Sequence, residues 1–347
     1  MRRVEPAPKS STGRSGRVTI QQVADAAAVS IATVSRVMSG TESVRPDLAD
    51  RVRRAATELG YRPNANAQGL ATGVTRMVGV VVPNLANPYF YDIIKAMNAS
   101  AVADGYRMLI ADSNEDAADE VELGRGLLRQ VDALVLISPR MSTDDLREFD
   151  DESLNVVLVN RASIGVGLPT VSVDIFGAML EIAGHLATLG HRKVAYLMGP
   201  GRSWQAQERA RAMRQAAAFG LQSVMVPAGD TIEAGYAAVD AALESNPSAL
   251  VCSNDLAAFG ALARLDELGI EVPHDLSLTG FDDIAFARYA RPRLTTAASP
   301  QRALGETAWQ LVAQVIRRER PSQRPLLPAP LVVRESTAAP ASGRGGA

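Results

Sequence analysis

The stretch Val18–Gly40, VTIQQVADAAAVSIATVSRVMSG, decides the fold of the N-terminal part of the chain. It predicts two short amphipathic helices joined by a tight turn. Thr19 is placed to cap the first helix, and Gln22, three residues later, completes a capping-box pattern. Ser30 is placed to cap the second helix. The stretch therefore predicts a helix-turn-helix, a motif whose second helix enters the major groove of DNA.

The second predicted helix exposes small and hydrogen-bonding side chains, among them Ser35 and Arg36. Arg36 carries a rigid fork of donors that suits a bidentate contact with a base or a phosphate. The hydroxyls of Thr19, Ser30 and Ser35 could bond phosphates or bases, and the alternative for each is a capping role alone. Phosphate contacts would position the helix, and base contacts would specify the sequence.

A third helix is predicted over Pro46–Leu59. Pro46 stands at the first helical position and Gly60 directly after the end, as is typical of helix termini. Five apolar residues recur at helical spacing and should close the core of this small head: Leu48, Val52, Ala55, Ala56 and Leu59.

Two phrases, VSIATVSRV at 29–37 and GYRPNANAQGLATG at 60–73, resemble the N-terminus of the LacI-type (lactose/galactose repressor) family. The likeness continues through NPYF at 87–90, NDLAAFGAL at 254–262, GFDD at 280–283 and LTT at 294–296. It covers about residues 17–336, which is nearly the whole chain. The ordered series of motifs makes the resemblance specific.

The resemblance implies that Ile31 and Ala32 occupy the base-reading positions, where apolar side chains can contact thymine methyl groups. It also implies a hinge helix at 64–71 that lies in the minor groove and inserts Leu70 into the central base step. We expect this hinge to be disordered without DNA, and the alternative is a plain flexible linker. The expected DNA-contacting residues are Thr19, Ser30, Ile31, Ala32, Thr33, Ser35, Arg36, Tyr61, Asn64, Ala67 and Leu70.

Three positions depart from the family pattern, and one of them is Ser39, which stands where asparagine is common. Ala28 occupies the turn position where glycine is usual, and a left-handed backbone there would cost about 1 kcal/mol. Arg45 stands where serine usually caps the third helix. The change removes a cap and adds a positive charge near the expected phosphates.

Beyond Met77, short apolar runs alternate with longer helical patterns. Such alternation indicates parallel sheets flanked by helices, an α/β fold. The predicted strands are MVGVVV (77–82), RMLIAD (107–112), ALVLIS (133–138), NVVLVN (155–160), VAYLM (194–198), ALVCS (249–253) and LSLTGF (276–281). The resemblance implies a two-lobed, periplasmic-binding-protein-like effector domain with a ligand cleft between its lobes.

The expected organisation has five parts. A disordered basic tail (1–16) precedes the helix-turn-helix domain (17–62) and the hinge (63–76). The effector-binding and dimerisation domain spans 77–337, and a disordered tail follows at 338–347. Within the effector domain, we expect lobe 1 at about 77–172 and 298–320, and lobe 2 at about 173–297 and 321–337.

Charge is divided unevenly along the 347 residues, whose formal net charge is −2. Residues 1–76 carry twelve Lys and Arg against six Asp and Glu, a net +6, and the remainder carries −8. A basic head on an acidic body suits a protein whose head alone meets nucleic acid. The alternative is a solvated charge run.

No apolar segment long enough for a membrane span or a secretory signal is present, so we expect a cytoplasmic protein. The single cysteine, Cys252, excludes an intrachain disulfide and should be a buried small side chain at a strand end. The histidines His185, His191 and His274 have no nucleophile or metal spacing. We therefore expect no enzyme activity, metal or cofactor.

A sugar pocket needs aromatic faces and planar polar groups in an otherwise apolar cleft. The resemblance places Tyr89, Phe90, Arg161, Arg209, Asn254 and Asp282 at effector contacts, and Trp204 and Gln205 follow a predicted strand. The alternatives are a helix cap for Asp282, a structural pair with Glu208 or another acid for Arg209, and a core position for Tyr89 and Phe90.

The favoured function is a transcriptional regulator, most simply a repressor of carbohydrate-utilisation genes, whose affinity for a near-palindromic operator changes with a small sugar-like ligand. A purine or nucleoside is the rival ligand, and a solute-binding protein without gene regulation is the rival class. No leucine heptad follows residue 334, so we expect a homodimer.

Overall fold

The computed structural model describes residues 18–38, 44–61, 74–162, 165–319, 321 and 324–341. The chain divides into two compact units, Met1–Thr75 and Arg76–Ala347. The first unit is an all-helical head and the second a two-lobed α/β body, which confirms the predicted fold class. The predicted tail at 1–16 and hinge helix at 64–71 lie outside the described residues. Within the described ranges, no helix is both long and apolar enough to cross a bilayer.

The described part of the head contains three helices: α1 (Ile20–Ala27), α2 (Ile31–Met38) and α3 (Pro46–Leu59). The capping box at α1 is present, since the Thr19 amide donates to Gln22 Oε1 at 2.8 Å and the Gln22 amide donates to Thr19 Oγ1 at 3.4 Å. These bonds satisfy backbone groups that the first turn leaves without helical partners.

Each helix of the head contributes a fully buried valine to the core: Val23, Val34 and Val52. The predicted core position of Leu59 is wrong, because its side chain is 39% exposed. The chain reverses at Gly60, whose φ is 66°, and Tyr61 then packs against the core in its place.

The turn between α1 and α2 contains Ala28 in the left-handed conformation, with φ 50° and ψ 51°. Its amide bonds the carbonyls of Ala24 and Asp25, and Arg51 Nη2 donates to the Ala27 carbonyl at 2.5 Å. The turn therefore keeps a glycine-type geometry without glycine. An alanine pays about 1 kcal/mol for this conformation.

We predict that Ala28→Gly stabilises the head by up to about 1 kcal/mol, because glycine adopts the left-handed region without strain. The matched control is Ala26→Gly, which lies inside α1 and should destabilise the head by about 1 kcal/mol. Hydrogen exchange of head amides in the full chain measures both free energies. A loss of protection in Ala28→Gly would contradict the strain argument.

The first lobe of the body contains a six-stranded sheet in the order β11-β5-β4-β3-β1-β2, with every pairing parallel. Its strands are β1 (Met77–Val82), β2 (Arg107–Asp112), β3 (Ala133–Ile137), β4 (Val156–Val159), β5 (Thr170–Val173) and β11 (Leu326–Leu327). Its helices are α4 (Tyr89–Ala103), α5 (Ala117–Leu128), α6 (Thr143–Glu148) and α11 (Gln301–Ile316). Helix α11 returns from the second lobe and packs against α4, where Trp309 donates to Asp104 Oδ2 at 2.6 Å.

The second lobe contains a six-stranded sheet in the order β12-β10-β9-β8-β6-β7, in which only the edge strand β12 is antiparallel. Its strands are β6 (Lys193–Met198), β7 (Gln222–Pro227), β8 (Ala249–Cys252), β9 (Ser277–Phe281), β10 (Thr295–Ala297) and β12 (Leu331–Val332). Its helices are α7 (Ile175–Leu189), α8 (Trp204–Gln215), α9 (Ile232–Leu243) and α10 (Asp255–Glu267), with 3-10 turns at Ala216–Phe219 and Ala285–Arg288.

The last segments differ from the expected boundaries in two places. We expected 321–337 in the second lobe, but Leu326–Leu327 pair with β5 in the first lobe, and the chain joins the second sheet only at Leu331. The expected disordered tail at 338–347 is wrong at its first residue. The Ala338 amide donates to Ser277 Oγ at 3.0 Å and its carbonyl accepts from His191 Nε2 at 2.9 Å.

Candidate functional site

Helix α2 separates a buried face from an exposed face. Val34 and Val37 are buried in the core of the head, whereas Ile31 is 44% exposed and Ala32 and Arg36 are exposed beside it. The helical period of 3.6 residues places these three side chains away from the core. This exposed face is the one that the sequence predicted to meet DNA.

The hydroxyl of Ser30 accepts the Thr33 amide at 3.2 Å and lies 2.9 Å from Thr33 Oγ1. Ser30 therefore caps α2, as Thr19 caps α1. Ser35 is half-buried, and Tyr61 packs against the core of the head. The remaining predicted DNA contacts, Asn64, Ala67 and Leu70, lie outside the described residues.

Arg45 does not cap α3 and instead forms a fork with Asp47. Its Nε and Nη2 atoms donate to the two carboxylate oxygens at 3.1 and 2.9 Å. Both side chains are exposed, so solvent screens the pair and a phosphate can compete for the guanidinium.

A cavity lies between the lobes of the body, at the carboxyl ends of the parallel strands. Open α/β sheets bind ligands at this edge. The first lobe supplies Asn87, Tyr89, Phe90 and Arg140, and the second supplies Gly199, Pro200, Ser203, Gln205, Ala206, Arg209, Asp230, Ser253, Asn254 and Asp282. The cavity measures about 20 Å³, close to one water-sized sphere. Entry of a monosaccharide therefore requires the lobes to separate or these side chains to rotate.

Arg209 and Asp282 form a buried pair within the second lobe, with Nη2 and Oδ1 3.4 Å apart. The guanidinium lies over the Phe281 ring at 4.2 Å, and Arg209 Nε is buried with no hydrogen-bond partner among the described residues. Glu208 pairs with Arg211, so the acid that pairs with Arg209 is Asp282. Arg209 therefore has donor capacity that it does not use.

Burial raises the pKa of Asp282 to about 7, although Arg209 acts to lower that pKa and Asp230 acts to raise it. The Asp282 side chain does not cap the turn that follows GFDD. The buried carboxylate of Asp255 does so, since it accepts the Ile284 amide at 2.8 Å. Asp282 is thus left to face the cavity and Arg209.

Asn254 holds one wall of the cavity in place. Its Oδ1 caps α10 by accepting the Ala257 amide at 2.9 Å, and its Nδ2 donates to the Asp230 carbonyl at 2.9 Å. Gln205, on the first turn of α8, is buried and also lines the cavity. The Asn254 amide can be buried because both of its polar atoms are hydrogen-bonded, one to the first turn of α10 and the other to the Asp230 carbonyl.

Tyr89 and Phe90 are both core residues and cavity-lining residues. Each is 3% exposed, and their rings meet edge to face at 5.2 Å. The Tyr89 hydroxyl accepts from Asn160 Nδ2 at 2.6 Å, and Asn160 Oδ1 accepts the Val173 amide at 3.1 Å. This chain of bonds fixes the aromatic wall against the first sheet.

The structure does not bring Arg161 and Trp204 to this cavity. Arg161 is buried elsewhere in the first lobe, and its Nη2 donates to the Met141 carbonyl at 3.4 Å. Trp204 precedes Gln205 on α8, and successive helical side chains point about 100° apart. Gln205 faces the cleft, so Trp204 lines a different cavity.

Arg140 and the acids around it are not among the residues that the sequence predicted for the site. Arg140 Nε and Nη2 donate to Glu115 at 2.5 and 3.1 Å, and Nη2 lies 3.9 Å from Asp230 of the opposite lobe. The Glu120 carboxylate accepts the amides of Arg140 and Met141 at 2.7 Å each. Burial raises the pKa of Glu120 to about 7. No local motif carries this cluster, because its members come from three separate stretches of the chain, 115–120, 140–141 and 230.

The chain matches two families of known proteins. Residues 19–64 match the bacterial regulatory proteins of the lacI family, and residues 183–337 match a periplasmic binding protein-like domain. The HTH-type transcriptional regulator GalS of Salmonella typhimurium is 34% identical over 304 residues, which cover 86% of this chain and 89% of GalS. The HTH-type transcriptional repressor CytR of Escherichia coli K12 is 30% identical, with coverage of 92% and 96%.

The chain belongs to the lacI family. Among solved structures, the Lac repressor dimer bound to operator and the anti-inducer ONPF superposes with a TM-score of 0.84, at 26% identity and coverage of 93% and 100%. The CelR–cellobiose complex superposes at 0.68, with 27% identity and coverage of 92% and 100%. This lacI-family chain is a DNA-binding transcriptional regulator, as its motifs predicted.

The relatives are transcriptional regulators rather than enzymes. In the part of the regulator that the structure describes, no three His, Cys, Asp or Glu side chains are arranged to hold a metal ion. Cys252 is fully buried, and burial raises the pKa of its thiol. Its predicted role as a small buried side chain at a strand end is confirmed.

The raised pKa of Asp282 predicts a pH-dependent stability. The folded protein holds the proton up to about pH 7, whereas the unfolded chain releases it near pH 4. The bound proton on Asp282 therefore makes its full contribution to the free energy of unfolding below pH 4. This contribution is lost as the pH rises from 4 to 7, by at most about 1.4 kcal/mol per pH unit. Between pH 4 and 7 the free energy of unfolding of the wild type should therefore fall relative to that of Asp282→Asn. Urea unfolding at a series of pH values measures both.

The contrasting control is Asp151→Asn. Asp151 is exposed, and hydrogen bonds from Ser153 lower its pKa, so its effect should have the opposite sign. Equal pH profiles of wild type and Asp282→Asn would contradict a raised pKa for Asp282.

Proposed function

We propose that this regulator is a repressor of carbohydrate-utilisation genes that acts in the cytoplasm as a homodimer on a near-palindromic operator. A sugar-like effector would bind between its lobes. The observation that carries the proposal is a cavity at the strand ends of two parallel sheets, lined by buried Arg209, Asp282, Gln205 and Asn254. The operator bound in one similar structure and the cellobiose bound in another support it.

The cleft offers the chemistry that a polyol needs. The guanidinium of Arg209 has an unused donor at Nε, and the Asp282 carboxylate beside it accepts hydrogen bonds. Two adjacent hydroxyls of a sugar match such a donor and acceptor pair, while the Phe90 ring supplies an apolar face. We infer that Arg209 and Asp282 together orient the effector.

Effector binding would change DNA affinity through the lobes. Arg140 and Asp230 face each other across the cleft at 3.9 Å, so a ligand between the lobes competes with or completes that contact. A ligand that favours one lobe orientation shifts operator affinity by its coupling energy, commonly about 1–3 kcal/mol. This reciprocal effect is the mechanism that we propose for regulation.

We infer no catalytic role and no cofactor for this cleft. The carboxylates of Glu115 and Asp282 are each held by an arginine, and the Ser203 and Ser253 hydroxyls are engaged with backbone groups. A nucleophile paired with a general base, which covalent catalysis would need, is not among the described residues of the cavity.

The DNA-binding test is fluorescence anisotropy on DNA flanking the coding sequence, at several salt concentrations. Arg36→Ala should weaken specific binding about 5- to 100-fold, because the exposed guanidinium on α2 contacts a base or a phosphate. The control is Arg54→Ala on the exposed face of α3, which should change affinity less than threefold. Equal losses in both variants would indicate general electrostatics instead of α2 recognition.

The effector test is calorimetry of the full chain against a panel of mono- and disaccharides, followed by purines and nucleosides. Arg209→Ala should weaken binding of the active sugar by about 10- to 100-fold, since it removes charge-assisted hydrogen bonds. The control, Arg214→Ala, lies on the same helix and should leave binding unchanged. Retained operator binding by Arg209→Ala shows that the variant is folded. Binding of nucleosides in place of sugars would overturn the carbohydrate assignment.

A further inference from the structure

Trp204 lines a second cavity in the body, which measures about 330 Å³. This volume lies at the lower end of the range for small-molecule sites. The lining residues are Ala162, Thr170, Ser172, Val173, Asp174, Ile175, Phe176, Trp204, Glu208, Arg211, Arg324, Pro325 and Leu326. None of them lines the cavity that we assign to the effector.

The walls of this second cavity come from both lobes. Ser172 and Leu326 belong to strands β5 and β11 of the first sheet, which pair with each other. Phe176 and Trp204 belong to the first turns of α7 and α8 in the second lobe. A molecule held here therefore touches both lobes where the chain passes between them.

Most of the lining is apolar and aromatic. Leu326 is 60% exposed, Trp204 and Phe176 are half-buried, and Pro325 lies beside them. The Arg211 guanidinium covers the Phe176 ring at 4.0 Å and is held by Glu208 through Nε at 3.2 Å. The charge of Arg211 is thus already paired with Glu208, and its guanidinium covers one face of Phe176. The Trp204 indole is the aromatic ring that remains open to the cavity.

Two hydrogen-bond donors in the same lining have unused capacity. Arg324 donates to the Val166 carbonyl at 2.9 Å, and no carboxylate of the described residues pairs with its guanidinium. Ser172 is 4% exposed, and its hydroxyl has no hydrogen-bond partner within the described ranges. A buried hydroxyl without a partner is uncommon in folded proteins and indicates an unfilled interaction.

We propose that this cavity binds an aromatic carboxylate. The ring would lie against Trp204 and Leu326, the carboxylate would pair with Arg324, and the Ser172 hydroxyl would donate to it. A sugar fits this lining less well, because it offers neither a flat apolar ring nor an anionic group. The site is separate from the effector cleft and does not depend on the effector assignment.

The test uses the intrinsic fluorescence of the full chain, which has two tryptophans. Trp309 is 4% exposed in the first lobe, so Trp204 should carry any ligand-dependent signal. Benzoate, 4-hydroxybenzoate and phenylacetate are the probes. We expect a saturable change in emission with at least one of them. Benzyl alcohol should bind at least about tenfold more weakly, and propionate should give no change.

Two variants make the assignment specific. Arg324→Gln should weaken the aromatic carboxylate at least about tenfold, because it removes the cation that, among the described lining residues, has no paired carboxylate. Arg302→Gln, an exposed arginine of α11 that pairs with Glu306, is the matched control and should bind with unchanged affinity. Trp204→Phe should keep binding by calorimetry and lose the fluorescence signal.

Three results would overturn the proposal. They are no saturable binding of any aromatic carboxylate, equal affinity in wild type and Arg324→Gln, and a fluorescence change that persists in Trp204→Phe. None of these readouts uses DNA or a sugar, so a failure here is distinguishable from a failure of the proposed repressor function.

Discussion

Buried charge between the lobes is the constraint on which the effector domain depends. Arg140 and Arg209 are both nearly excluded from solvent, and an unpaired buried charge costs several kcal/mol. Each is therefore held by a carboxylate, Glu115 for Arg140 and Asp282 for Arg209. The guanidinium of Arg140 is closely hydrogen-bonded to its carboxylate. The guanidinium of Arg209 is less well paired, since its Nε atom lacks a partner among the described residues. An incompletely satisfied arginine beside a carboxylate of raised pKa is the basis on which we propose Arg209 and Asp282 as effector contacts.

The walls of the cleft are held by groups that also serve the fold. Asn254 caps α10 and fixes the Asp230 loop, and Asn160 links the Tyr89 hydroxyl to the backbone of β5. Because these bonds join the ends of strands and helices, a movement of one lobe as a rigid body carries its wall of the cavity with it. A ligand bound in the cleft can then change the orientation of the two lobes instead of rearranging single side chains.

The head follows a simpler logic, since its residues act locally. Thr19, Gln22 and Ser30 form the caps that their spacing predicted, and the alternation of valines with exposed residues separates the core from the exposed side of α2. Ala28 holds a left-handed turn at a conformational cost, which shows that packing of the three helices outweighs the preference of a single residue.

The sequence by itself determined the head, the α/β class of the body and most of its strands, because caps and apolar periodicity are set by neighbours in the chain. Its family resemblance and strand-end positions also predicted six residues that share one cavity: Tyr89, Phe90, Gln205, Arg209, Asn254 and Asp282. Only the tertiary structure decided that Arg161 and Trp204 lie elsewhere, that Arg140 faces Asp230, and that Leu326–Leu327 join the first sheet. These outcomes depend on the direction of a side chain about its helix or on segments far apart in sequence, and no local pattern encodes either.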